Sequence, residues 1–273
     1  MSAAASPGSV PSSAGSTAPP SVPPPTLPPL APGELHDTGT VRRDSVAVER
    51  WMARGVAKVT GDVRVTEGTL DGTLAVGGRV SAKTLRYQGT VDVTGSVDVQ
   101  GRLSGSGTLR LGLTLHTQET DLRGTVRVLG AASVDRAMRV RGVLTAPSLA
   151  VGELDVEGEV HIPGPTSATV SVSARLSDDS QFGFVRARSV SLRAKVPNLV
   201  EKVLGRRVTV TVDRIEADQV SLEAVDAKFV RSPRITLGRN AHVTEYEGTI
   251  VARHPSSRVG FESRSPPPYG LTR

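Results

Sequence analysis

Gly61-Asp-Val63-Arg-Val65, Gly72-Thr-Leu74-Ala-Val76, Gly89-Thr-Val91-Asp-Val93 and Gly95-Ser-Val97-Asp-Val99 are four copies of one phrase: a glycine, then two aliphatic residues at alternate positions. The phrase returns at Gly107-Thr-Leu109-Arg-Leu111, Gly124-Thr-Val126-Arg-Val128, Gly152-Glu-Leu154-Asp-Val156 and Gly158-Glu-Val160-His-Ile162. An internal repeat of this kind decides the architecture before any single residue does.

Strict alternation of apolar and polar side chains has the period of a strand with one face in and one face out. The glycines fall on two ladders, Gly61, Gly78, Gly95 in steps of 17, and Gly72, Gly89, Gly107, Gly124, Gly142 in steps of 17 or 18. One step holds three short strands, with glycine turning the corners. This predicts an all-β fold, a β-solenoid with about 17–18 residues per three-strand coil, each strand stacked on its equivalent in the next coil. A lone coil cannot bury its aliphatic face, whereas a stack gives a continuous narrow core. Val and Leu suit that narrow interior, and aromatic residues make up only 3% of the chain. Helices are excluded over this stretch, since each frequent glycine would cost about 1 kcal/mol relative to alanine. An antiparallel sandwich or barrel would not demand a fixed register of 17 or 18. Ten or eleven coils would form a rod roughly 50 Å long at the spacing of stacked strands.

The flanks have a different composition. Residues 1–33 carry no charged side chain and ten of the nineteen prolines, with polyproline-II character over Ser21–Pro32. Such a segment cannot bury enough apolar surface to offset its ordering entropy. Residues 1–45 are therefore expected to form a disordered Pro/Ser/Ala-rich tail, a solubilising spacer or a ligand for Pro-recognising proteins. No secretory signal is recognisable there, and no stretch approaches the roughly 20 apolar residues of a membrane-spanning helix. A soluble, cytoplasmic protein is expected, with no membrane attachment. Cysteine is absent, which removes disulfides and thiolate metal sites.

The glycine-phased β-helix is expected over 46–162. Trp51, the single tryptophan, lies where it would cap the open end of the core or touch a neighbouring molecule. Pro163-Gly-Pro165 interrupts the phrase, and 163–207 reads as irregular β coils. Within them Asn198 as N-cap, Glu201 three residues on and Gly205 at C′ predict a short helix near 198–204. Coils resume over 208–260, where Ile215, Val220, Val225, Val230 and Ile235 lie five apart. Residues 261–273, with Pro266-Pro-Pro268, are expected to be a second disordered tail.

Nothing in the chain assembles catalytic chemistry. His36, His116, His161, His242 and His254 lack metal-ligand spacing. Gly77-Gly78 and Gly105-Ser-Gly107 are followed by neither a Walker Lys-Ser/Thr nor a helix. Asp92 and Asp98 belong to consecutive phrases, and Asp213, Glu216 and Asp218 read as a solvated acidic corner. No cofactor, metal or enzymatic activity is expected. The formal charge of +6 is spread over outward positions such as Arg64, Arg110 and Arg127, interleaved with Asp92, Asp98 and Asp155. A dispersed mixed surface, without the array of stacking aromatics interleaved with arginines that single-strand binders use, means that no nucleic-acid partner is expected.

Gly-x-Val-x-Val coils between proline-rich tails resemble the bactofilins, the polymer-forming bacterial cytoskeletal proteins. The stretch Val212–Arg231, with Ile235-Thr-Leu-Gly238 and Val243-Thr-Glu-Tyr-Glu-Gly248, is similar to the C-terminal coils of longer members of that family. The likeness covers 56–162 and 206–260. It implies a right-handed parallel β-helix that polymerises end to end without nucleotide and scaffolds cell shape or protein localisation. The chain is longer than the roughly hundred-residue core of that family, and Met1–Pro11 does not match the membrane-targeting start of many members. The expected partner is the chain itself, with other proteins reached through the Pro-rich tails. The expected contacts at the polymer ends are Trp51 and Val56 at one end and Val259 and Phe261 at the other. The alternative is a discrete monomeric β-solenoid, a binding scaffold or a carbohydrate-processing enzyme.

Overall fold

The computed structural model describes residues 30–177, 179–195 and 209–263. These form one parallel sheet of thirteen strands, in sequence order throughout, wound into a solenoid. The strands are β1 Ala31–Arg43, β2 Val46–Val59, β3 Val63–Val76, β4 Val80–Val93, β5 Val97–Leu111, β6 Leu115–Val128, β7 Ala131–Thr145, β8 Ser148–Leu176, β9 Ser180–Ala194, β10 Val210–Glu223, β11 Asp226–Leu237, β12 His242–Arg253 and β13 Arg258–Glu262. Each pairs with the next in parallel. No described residue is helical.

The repeat of glycine phrases becomes the register of the ladder. Val46 pairs with Val63, Val63 with Val80 and Val80 with Val97, each 17 residues on. The phrase aliphatics face inward: Val63, Val65, Leu74 and Val76 are all buried, as are their counterparts in the following coils. Burying one such side chain is worth about 1.5–3 kcal/mol, similar to the cost of ordering one or two residues. A coil is therefore not stable alone and depends on stacking against a neighbour.

One glycine column has a specific cause. Gly39, Gly55, Gly72, Gly89, Gly107, Gly124, Gly142 and Gly158 stack in register, all with φ between +77° and +138°. A side chain is disfavoured there by conformation alone. From Gly55 to Gly158 the stack forbids it sterically as well: a Cβ on Gly89 would lie 2.0 Å from the carbonyl oxygen of Gly72. Each glycine thus seats the backbone of the coil before it.

The coil length changes along the rod. Across Pro163-Gly164-Pro165, through which β8 runs without ending, the step falls from 20 at Ile162–Phe182 to 19 at Pro165–Phe184 and 18 at Val172–Val190. Between β9 and β10 it is 30, as at Ser180–Val210, an interval that contains residues 196–208. The helix expected near 198–204 lies outside the described residues. Between β10 and β11 the step is 15, from Thr211 to Asp226. The five-residue beat of Ile215, Val220, Val225, Val230 and Ile235 is thus three inward positions per shorter coil, all buried.

Two expected boundaries move outward. β1 lies wholly inside the segment 1–45 expected as tail, and β13 carries the ladder to Glu262, inside the tail expected to begin at 261. With β1 included, the solenoid has about thirteen turns rather than ten or eleven. The composition of the first coil is polar because half of its inward positions are charged and paired with one another, so the aliphatic alternation is hidden.

Candidate assembly interface

A solenoid has two ends, and each is a sheet edge with unpaired backbone groups. At the N-terminal end, Leu35, Asp37, Val41 and Arg43 of β1 stand over Trp51, Ala53, Ala57 and Val59 of β2. Those four β2 residues are buried. Asp37 and Arg43 therefore occupy inward positions that the next two coils fill with Ala53 and Leu70 and with Val59 and Val76. They are paired with each other: Arg43 donates from Nε and Nη2 to the Asp37 carboxylate at 3.0 and 2.6 Å. The indole Nε1 of Trp51 donates to the same carboxylate at 3.0 Å. Asp37 is only 5% exposed. The Arg43 hydrogen bonds hold its carboxyl below the ordinary carboxylate range, with burial opposing and the Trp51 bond and the Arg43 charge assisting. Outside the coil, Arg50 bridges Glu34 of β1 and Glu67 of β3, tying three coils together.

The C-terminal end is built differently. β13 covers only His242–Tyr246 of β12, and among the described residues no strand lies over Gly248–Arg253. Tyr246, Ile250 and Val259 pack partly buried against the core. Val251 and Phe261 beside them are 56% and 61% exposed. Phe261 also ends an outward column that runs Phe184, Arg214, Phe229, Glu245, Phe261 on successive coils. The Arg214 guanidinium sits between two of those rings, 5.9 Å from Phe184 and 4.9 Å from Phe229, a cation–π arrangement.

The four expected end contacts are thus distributed unevenly. Val259 and Phe261 lie on the last strand. Trp51 does not lie at an end, because β1 covers it and leaves it 1% exposed. Val56, 46% exposed, lies on the side wall of β2 between Thr40 and Thr73. The N-terminal end belongs instead to Asp37 and Arg43. One signal for this was present in the chain: Gly39-Thr-Val41 is the repeated phrase itself, sixteen residues before Gly55.

The other side chains singled out in the sequence are dispersed. Asp213 pairs with Lys228 at 2.7 Å and Glu216 with Arg214 at 2.6 Å, and Asp218 lies near them on the wall of β10. His161 contacts Glu159, and His242 lies 3.6 Å from Asp226. Among the described residues no group of three or more His, Asp or Glu side chains converges as a metal site would require. No helix among them is long and apolar enough to cross a membrane. No family model, characterised protein or solved structure matches this chain.

Proposed function

We propose that this chain is a structural protein that self-assembles end to end, without nucleotide, into filaments that scaffold cell shape or the localisation of other proteins. The observation that carries this reading is the unfinished C-terminal coil. No described strand pairs with the outer side of Gly248–Arg253, and Tyr246, Ile250, Val251, Val259 and Phe261 add partly buried or exposed apolar surface on the last two described strands. A strand edge with apolar neighbours is a template for another strand, and a second copy can supply one. The likeness of the glycine-phased coils to the bactofilins points the same way.

The Asp37–Arg43 pair favours a second reading. Inward-pointing charges are a means of blocking edge-to-edge growth, and a rod with one blocked end is a discrete scaffold or a pair of rods joined at their C-terminal ends. Negative-stain electron microscopy of the full chain and of a chain lacking residues 1–29, in buffer without nucleotide, separates the two. Unbranched filaments from both support assembly through the solenoid. Single rods of roughly 60 Å, the length of thirteen stacked coils, or rods of twice that length, overturn the filament and leave the scaffold.

A further inference from the structure

The side wall of β2–β6 carries a groove of about 600 Å³ that the assembly reading does not use. Its floor is Ser104, Gly105 and Ser106 of β5, half-buried between longer neighbours. Gly105 sits at an inward register position between Tyr87 and Leu122. The Tyr87 ring fills the space below it, so closely that a Cβ at Gly105 would lie 2.4 Å from the ring. Around that floor the walls are long and basic.

Four arginines, Arg54, Arg86, Arg102 and Arg123, line the groove against two aspartates, Asp71 and Asp121. Arg102 is already bound to Asp121, at 3.2 Å. Arg54, Arg86 and Arg123 are exposed and make no hydrogen bond or ion pair with another described residue. In register Arg86 lies between Thr69 and Ser104, and Arg123 between Ser106 and Arg141, so neither meets a carboxylate on the neighbouring coils, while Arg54 faces Asp71 without an ion pair. Three guanidiniums without a described partner, spaced along one polar groove, are an unfilled demand for anions.

Their spacing restricts the anion. Arg54, Arg86 and Arg123 lie on β2, β4 and β6, every second coil, so successive guanidiniums are about 10 Å apart along the rod. That is close to the length of a disaccharide and longer than the separation of neighbouring phosphates on a nucleic-acid strand. Asp71 stands in register beside Arg54, and its carboxylate repels a densely charged polymer more than a sparse one. The wall also lacks the aromatic platforms on which unpaired bases stack. Ser104, Ser106, Thr69 and Gln88 supply hydrogen-bonding groups suited to sugar hydroxyls.

We propose that this groove binds an acidic glycan carrying one negative charge per disaccharide, laid along the rod axis. The arginine forks hold its carboxylates or sulfates, and the serine floor accepts the sugar rings. The site lies on the side wall, so it stays open whether the ends assemble or not.

Titration of the full chain with a hyaluronan octasaccharide, which carries one carboxylate per disaccharide, tests this. Saturable binding that weakens with added salt is expected. Each of Arg54→Gln, Arg86→Gln and Arg123→Gln should weaken it about tenfold, the loss of one charged hydrogen-bonding pair. Arg127→Gln, on another wall, should leave it unchanged. All four side chains are exposed, and circular dichroism should show the same β signal in every variant. No binding, equal binding of neutral dextran, or full binding by the triple variant would overturn the proposal. Tighter binding of oligothymidylate than of the octasaccharide would overturn it in favour of a nucleic-acid groove.

Discussion

Trp51 and Asp37, fourteen residues apart in the chain and one coil apart in the rod, are joined by a 3.0 Å hydrogen bond from the indole Nε1 to the carboxylate. The bond places an acid on the inward side of the first coil, where Arg43 neutralises it from the same strand. The core therefore begins under an ion pair, and the largest aromatic side chain of the protein lies in its second layer.

Replacing Asp37 by Asn leaves Arg43 without its counter-ion at an inward position. We expect a loss of about 1–2 kcal/mol, reduced from the cost of a fully buried pair because Arg43 is partly exposed. The folded-state pKa of Asp37 is depressed. Its contribution is thus present above the ordinary carboxylate pKa and lost as pH falls through the lower folded value. Urea unfolding should show the largest difference between Asp37→Asn and the parent chain at neutral pH, shrinking in acid. A constant difference down to acid pH would contradict this account of the pair.

Truncation tests whether β1 belongs to the fold. Removal of residues 1–29 should leave Trp51 fluorescence and thermal stability unchanged. Removal of 1–44 strips the cover from Trp51, Ala53, Ala57 and Val59, and should red-shift the emission and promote aggregation. Identical spectra from both truncations would mean that β1 does not cover the core in solution.

The glycine column should be intolerant in a graded way. Gly89→Ala adds a Cβ 2.0 Å from a carbonyl oxygen at φ +120°, so a loss of at least about 3 kcal/mol is expected. Gly39→Ala meets nothing within 4 Å and bears only the strain of φ +77°, about 1 kcal/mol. Thermal unfolding of the two variants checks the order, and equal losses would refute the stacking argument.

Tyr87 buries its hydroxyl without a hydrogen-bond partner among the described residues, and burial alone pushes its pKa well above the ordinary tyrosine value. Tyr87→Phe removes an unpaired polar atom and should stabilise the chain by about 1 kcal/mol. The raised pKa adds an alkaline signature. Stability is intact below the unfolded tyrosine pKa and declines as pH rises above it, and the variant should lose that part of the decline. A destabilised variant would reveal a partner for the hydroxyl.

If the chain assembles as proposed, Phe261→Arg, a charge on the last described strand, should leave only short particles in sedimentation and electron microscopy, with the β signal retained. Val56→Arg, on the side wall, should leave assembly intact. The reverse pattern would move the interface from the C-terminal end to the wall.

Much of this molecule could be read from the chain alone. The aliphatic alternation specified inward and outward faces. The steps of 17 and 18 specified a parallel ladder, and the beat of five near Ile215 specified a shorter coil, because a repeat that must stack on itself turns sequence period directly into register. The ends were less legible. Asp37 and Arg43 look like solvated charges in sequence, and only the coil that folds them against each other over Trp51 makes them interior residues. The groove was equally hidden, since Arg54, Arg86 and Arg123 are separated by more than thirty residues each and share one wall only because every coil returns to it. Local pattern determined the coil, which depends on neighbours a fixed step away. Tertiary structure decided the two ends and the groove, because which charges find partners depends on side chains from several coils meeting in space.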